Sequence, residues 1–318
     1  MSFPNSTYTD IVTTTLARRS KKIADNVSKN NAFLFRMKEK GRIRPAPGGR
    51  TLVEPLSFAE NANGAPYSGY DQLPINAADV ISAAEYEWKQ YACPVVMSGR
   101  EKLMNSGEDA VFDLMDERVG VAESTMLNLI SDGMYSDGTG YGSKEIGGLD
   151  LLIPLDPTTG TVGGISRSNT FWRTIDNDVT ITASNVLEEM YETWAQVVRG
   201  AEHPDLIMCG STFWKFFVST LQDSQRFTDP KLAQAGFTSL KFLQADVVLD
   251  GGIGGFATAE DAYFINTSYL SFRPHSQVNM VPLKKRAPVN QDAEVEILAW
   301  AGNLTASFMK CHGRIDGD

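Results

Sequence analysis

The chain has 318 residues, 42% of them hydrophobic and 21% charged, the composition of a globular protein that buries a sizeable core as one elaborated unit or two domains. Its net charge of −10 is unevenly spread: residues 1–50 hold 11 Lys+Arg against 3 Asp+Glu, and the remainder holds 18 against 36. Three widely spaced cysteines without a Cys-x-x-Cys argue against a disulfide framework or a zinc site. No apolar run approaches the ~20 residues that cross a bilayer, and the opening residues lack the pattern of a signal peptide.

Residues 1–47 read as a basic arm. Leu16, Ile23 and Val27 have helical spacing, but Arg18, Arg19, Lys21 and Lys22 interrupt any broad apolar face, and Phe33-Leu34-Phe35 forms an adhesive point. A net +8 over residues 1–50 before a net −18 over the remainder implies docking on an acidic surface, either nucleic acid or the body of a neighbouring copy. The stretch Pro45-Ala-Pro-Gly-Gly-Arg50 separates the arm from the next segment.

Residues 48–91 read as a long two-stranded finger. Leu52, Glu54, Leu56 and Phe58 alternate along the first strand, with Pro55 confining it to an edge. Residues 61–74 are turn-rich, with Asn61, Gly64, Pro66, Tyr67, Gly69 and Tyr70, and residues 80–91 return as a second strand with Tyr86 and Trp88 on one face. An isolated hairpin is marginal in water, so this finger needs a surface to lie against.

Residues 93–97 form a short apolar strand leading into the spacing that dominates the chain. Val111, Met115, Val119, Ala122, Met126 and Ile130 recur every three or four residues, which predicts one amphipathic helix over 105–132. Asn105 or Ser106 is placed as its N-cap, with Glu108 and Asp109 in the first turn, and Gly133 stops it. Such a rod is roughly 40 Å long, a spine rather than an ordinary core helix. A Gly-rich loop comes next, then a Trp172-Arg173 segment and a second helix over 183–199 with Leu187, Met190, Tyr191, Trp194, Val197 and Val198 on one face. From Pro204 the pattern changes to short strands with a helix capped by Ser211 or Thr212 and carrying Phe213, Trp214, Phe217 and Leu221. Strands and helices without regular alternation indicate α+β.

Ser136-Asp137-Gly138-Thr139 after the spine, Gly163-Gly164-Ile165 with Arg167 and Trp172-Arg173, Pro204-Asp205-Leu206 and Gly302-Asn303-Leu304 occur in an order that resembles the major capsid protein family of tailed bacteriophages, the Hong Kong 97 fold. The resemblance covers nearly the whole chain. It implies an α+β Hong Kong 97-type capsid fold: an N-arm (1–47), an extended two-stranded loop (48–91), a peripheral domain with the spine helix (92–200), and a mainly axial domain (201–318) whose late strands return to the peripheral domain. It also implies a non-enzymatic virion protein, assembled in a host bacterial cytoplasm as hexamers and pentamers around double-stranded DNA. A shell protein needs many weak contacts per copy, which casts Arg18, Arg19, Lys21, Lys22, Phe33 and Phe35 of the arm, and Asn61, Gly64, Tyr67 and Tyr70 of the loop, as contacts to neighbouring copies. The acidic body suits weak, non-specific contact with packaged DNA. Some family members cross-link a loop Lys to a neighbour's Asn, but residues 51–88 contain no Lys, so covalent chain-mail is not expected. No acidic helical extension precedes the arm; a separate scaffolding protein is expected, with a portal and room for a decoration protein.

No catalytic or cofactor motif competes with this reading. Gly138-Thr-Gly-Tyr-Gly-Ser-Lys144 comes after a helix and lacks the Ser/Thr that a P-loop carries after Lys. There is no G-x-S-x-G elbow and no H-E-x-x-H, and His203, His275 and His312 lie far apart. Catalytic, metal and cofactor residues are therefore expected to be absent. The alternatives are an encapsulin-like nanocompartment shell of the same fold and, from another class, a soluble α+β enzyme.

Overall fold

The computed structural model describes residues 32–104, 114–221, 239–251, 255–282 and 292–317. The arm cations Arg18, Arg19, Lys21 and Lys22, the expected spine cap at Asn105 or Ser106, Val111, and the side chain of Met115 lie outside the described residues. In chain order the elements are α1 (Ala32–Glu39), β1 (Leu52–Ser57), β2 (Ile81–Tyr86), β3 (Lys89–Ser98), α2 (Gly99–Met104), α3 (Leu114–Gly133), α4 (Gly140–Ser143) and α5 (Leu149–Leu152). Next are β4 (Thr161–Val162), β5 (Ile165–Ser166), β6 (Ile175–Asp178), α6 (Val186–Val197), β7 (Leu206–Cys209), α7 (Ser211–Thr220), β8 (Ser239–Phe242) and β9 (Ala245–Leu249). Then come β10 (Ala262–Ile265), β11 (Leu270–Pro274), β12 (Val281–Pro282), β13 (Ala293–Ala306) and β14 (Gly313–Asp316).

Helix α3 is the spine. Ala122, Met126 and Ile130 are buried and Val119 is half-buried, so over its described part the apolar stripe is the packed face of the helix. Ala122 and Val119 meet Val95 and Met97 of β3, while Met126 and Ile130 join the main core with Leu149, Trp172, Leu298 and Trp300. β3 pairs with β13 along its whole length, from Lys89 opposite Gly302 to Ser98 opposite Ala293. On its other edge β13 carries β12 and β11, giving a four-stranded sheet.

The second sheet has the order β6-β14-β10-β7-β9-β8, with β6–β14 and β7–β9 parallel and the rest antiparallel. Its central strands are buried on both faces, which is why β7 reads as an uninterrupted apolar run. Leu206, Met208, Val248, Tyr263 and Ile265 face the core shared with the spine. Ile207, Cys209, Val247, Phe264 and Ile315 face a second core closed by Met190 of α6 and by Phe213 and Phe217 of α7.

Four sequence expectations change. The second finger strand does not run over 80–91: β2 ends at Tyr86, and Lys89 begins a strand of the body sheet. At the break, the Glu87 carbonyl accepts from the side chain of Asn303 (2.8 Å), and Trp88 turns to rest edge-on against His275 and donate to Gly49 O. Helix α6 is shorter than 183–199, beginning with Glu188 and Glu189 in its first turn and ending where Val198 becomes extended. It packs on β6, β14 and α7, so in packing terms it belongs with the six-stranded sheet rather than with the spine. Finally, α7 is not capped by Ser211 or Thr212. Gly210 is the N-cap, and the Ala259 carbonyl accepts from the amides of Thr212 and Phe213, a close approach that a Cβ at Gly210 would block.

Candidate assembly interface

The finger projects from an anchored base. β1 and β2 pair from Leu52–Tyr86 to Ser57–Ile81, and Leu52, Leu56, Ala84 and Tyr86 are buried against the body. Glu54 lies on that same buried face, where its Oε1 accepts from Arg273 (2.6 Å) and from Thr305 Oγ1 (2.9 Å). The Tyr86 hydroxyl donates to Ala306 O (2.8 Å), and burial pushes its pKa well up, keeping it a neutral donor. On the far side the amide of Glu85 donates to Gly163 O in the turn between β4 and β5. Gly163 has φ +59°, and a Cβ there would press on Ala84 and Tyr86.

Beyond the base, residues 59–79 are exposed apart from the half-buried Asn63, and Asn63 Nδ2 reaches Asn76 O (2.5 Å) to tie the two limbs. Asn61, Gly64, Tyr67 and Tyr70 all lie in this projecting part, with Tyr70 fully exposed. Leu73 and Ile75 accompany them and are also exposed, as is Ile81 at the start of the return strand. Among the described residues nothing covers these four large apolar side chains from Tyr67 to Ile75, which form an exposed apolar patch at the tip of the finger. The sequence reading singled out Tyr67 and Tyr70 and missed Leu73 and Ile75; their signal was an apolar pair inside a turn-rich stretch with no periodic partners.

The root of the arm behaves differently from expectation. Phe33 is 0% exposed and packs its ring 6.0 Å from that of Tyr135, so it is a core residue of its own chain and has no surface left for a neighbour. Phe35 is half-buried against the same core. Burial wins because α1 presents Phe33, Arg36 and Met37 along one face, and Arg36 docks there by pairing with Asp246 and Glu39. Past α1, Ile43 and Ala46 bridge to Phe272 and His275, lengthening the edge of the sheet at β11. The described part of the arm, from Ala32 to Ala46, is therefore integral to the body.

Where the spine meets the six-stranded sheet, buried hydroxyl–carboxylate pairs join the two. Tyr135 donates to Asp250 (2.5 Å) and Tyr263 to Asp150 (2.5 Å), while Arg314 binds Asp150 (3.0 Å) and Asp261 (2.5 Å). Burial raises the pKa of both Asp150 and Asp250, and the tyrosine hydrogen bonds oppose that shift. A polar cavity of about 410 Å³ opens beside them, lined by Asp132, Ser136, Asp137, Glu145 and Asp150. Among the described residues, no three His, Cys, Asp or Glu side chains gather as ligands for a metal would. His203, His275 and His312 do not come together: His203 stacks on Trp194, His275 meets Trp88, and His312 is buried and accepts from the amide of Asn266.

As a whole, this arrangement is similar to that of solved capsid structures. A subunit of the Cyanophage A-1(L) capsid asymmetric unit superposes with TM-score 0.66 at 15% identity, covering 93% of this chain and 95% of that one. The fold is that of Hong Kong 97-type capsid subunits. The capsid of an empty GTA particle gives TM-score 0.60 at 10% identity over 93% of this chain and 92% of that chain, and the capsid of Myoviridae phage XM1 gives 0.55 at 13% over 94% and 96%. No sequence-family model matches the chain, and comparison with curated proteins finds no match. The likeness is thus one of three-dimensional arrangement, held at identities where packing pattern outlasts residue identity.

Proposed function

We propose that this chain is the major capsid protein of a tailed bacteriophage, a shell-forming subunit that assembles into hexamers and pentamers around double-stranded DNA. The observation that carries this is the finger, whose base is held by a partly buried ion pair and whose tip leaves Tyr67, Tyr70, Leu73 and Ile75 without cover among the described residues. A projecting apolar tip on a fixed base is suited to lie on another copy, and repeated around a ring it makes heterologous contacts that close. The Hong Kong 97-type fold adds support by analogy. In this reading the arm ahead of α1 places Arg18, Arg19, Lys21 and Lys22 on the acidic body of an adjacent subunit, and Asn61 and Gly64 flank the finger's apolar contacts. The spine with the four-stranded sheet forms the peripheral part and the six-stranded sheet with α6 and α7 the axial part. A scaffolding protein, a portal and the packaged DNA are its partners in the virion.

The test is electron microscopy of the purified chain over a range of concentrations, with nuclease protection on any particles. Closed shells or six-membered rings are expected, and protected DNA in native particles. A homogeneous monomer under every condition would refute the proposal, and shells filled with a protein cargo would replace it with a nanocompartment. Deleting residues 1–30 should abolish shells while leaving the body folded, because α1 begins at Ala32 and supplies its own core contacts.

A further inference from the structure

β13 changes partner at Gly302. Up to that residue it pairs with β3, and from it onward with β11 on the opposite edge. The amide of Ala301 donates to Val278 O and its carbonyl accepts from His275, so odd-numbered residues of β13 direct their backbone groups toward the β11–β12 edge. Even-numbered residues therefore direct theirs toward the β3 edge. Beyond Lys89 no strand among the described residues lies on that edge, and the backbone groups of Leu304 and Ala306 need other partners.

Two side chains take the strand's place. The Tyr86 hydroxyl donates to Ala306 O (2.8 Å) and accepts from Ala306 N (3.3 Å). Asn303, 4% exposed, uses Oδ1 to accept from its neighbour Leu304 N (2.9 Å) and from Gly147 N (3.2 Å), and uses Nδ2 to donate to Glu87 O (2.8 Å). Each bond reaches a different unit. Glu87 is the residue at which the chain leaves the finger for β3. Gly147 belongs to the loop tied to the end of the spine, since Gly148 N donates to Ser136 O and Leu149 N to Met134 O. Neighbouring glycines make the approach possible: a Cβ on Gly302 would lie 2.6 Å from the Trp300 ring and 2.8 Å from Arg273 O, and one on Gly147 would collide with Leu151.

We propose that the Asn303 carboxamide is the positioning group that sets the angle at which the finger leaves the body, by joining the finger's exit, the spine's end and the body sheet through one side chain. Only an amide meets the demand, because one end must accept from two N–H groups while the other donates to a carbonyl. The lever is long. The limb from Glu87 to the loop's middle spans roughly 18 residues, at most about 60 Å when extended, so a tilt of about 5° at the base moves the tip by about 5 Å. That displacement exceeds what a packed contact tolerates, and it links this residue to the size of the assembled particle if the shell reading of the chain holds.

The test compares wild type with N303D, which keeps the size and the acceptor but turns the donor to Glu87 O into a repelling oxygen. Hydrogen exchange on the unassembled full chain should accelerate at least about tenfold in peptides covering residues 85–88 and 145–149, with 206–209 and 262–265 unchanged. Assembled N303D particles should spread in diameter relative to wild type. Unchanged exchange at both joints would overturn the proposal, and so would acceleration extending through the six-stranded sheet, which marks a merely structural role. If N303D fails to fold, N303A, which removes the carboxamide without adding a charge, must loosen residues 85–88 and 145–149 or the proposal fails. The exchange result decides the hinge even if wild type forms no particles, an outcome that overturns the shell reading alone.

Discussion

Replacing Arg273 by Met tests whether the finger's base is held electrostatically. Arg273 Nη1 lies 2.6 Å from Glu54 Oε1, with the two side chains 22% and 13% exposed. Removing one partner of a fully buried pair costs about 3–5 kcal/mol, because the survivor remains desolvated and unpaired. Here Thr305 still donates to Glu54 and some solvent reaches both groups, which reduces the expected loss to about 2 kcal/mol. A melting entropy of about 2.1 cal/mol/K per residue, over a chain of this length, amounts to about 0.67 kcal/mol/K, so the midpoint should fall by about 3 °C. Calorimetry of the unassembled subunit reads this directly. The double variant E54L/R273M leaves no orphaned charge and should recover most of the loss. A melt of R273M within 1 °C of wild type, or a double variant whose loss equals both single losses added, would refute the reasoning.

The remaining expectations concern the core, pH and the finger tip. F33A should cost the subunit itself about 3–5 kcal/mol, measured as a lower unfolding midpoint before any assembly, because Phe33 is fully enclosed by its own chain. Burial lowers the pKa of His312 from 6.5 to about 4, so the unfolded chain takes up a proton that the folded one refuses; stability should fall as pH drops from 6.5 to 4, by about 3 kcal/mol in all. H312N, which keeps an acceptor for the Asn266 amide, should flatten that slope in denaturant titrations at several pH values, and an unchanged slope would assign it to other groups. Asp176 acts with the opposite sign. Burial raises its pKa to about 6, so its ionisation weakens the fold as pH rises from about 4 to 6, and D176N should gain stability above pH 6 relative to wild type. Chymotrypsin should cut free subunits at Tyr67 and Tyr70 and spare them in shells, whereas equal rates in both states would remove the finger from the interface.

Periodicity carried far in this chain. The stripe at Ala122, Met126 and Ile130 is buried as its three- and four-residue spacing demands, and the apolar run of β7 lies among central strands covered on both sides. Both are local patterns whose meaning depends only on the geometry of a helix or a strand. The alternation Leu52, Glu54, Leu56 likewise placed Glu54 on the inner face. That its partner is Arg273, some two hundred residues later, was not legible, because an ion pair depends on which strands become neighbours. The break at Glu87 also left no local mark: residues 80–91 have strand character throughout, and the Asn303 side chain that binds the Glu87 carbonyl at the break lies more than two hundred residues away.

By itself, the sequence determined the apolar face of the spine, the apolar run of β7, the charge contrast between arm and body, and a resemblance whose fold the three-dimensional comparison bears out. Tertiary structure alone decided that Phe33 and Arg36 belong to the body, that α6 sits on the six-stranded sheet, and that Leu73 and Ile75 stay uncovered. The physical reason is the same in each case. Spacing along the chain tells which side of an element is apolar, but what lies against that side is set by contacts between segments far apart in sequence, and those form only when the whole chain has packed.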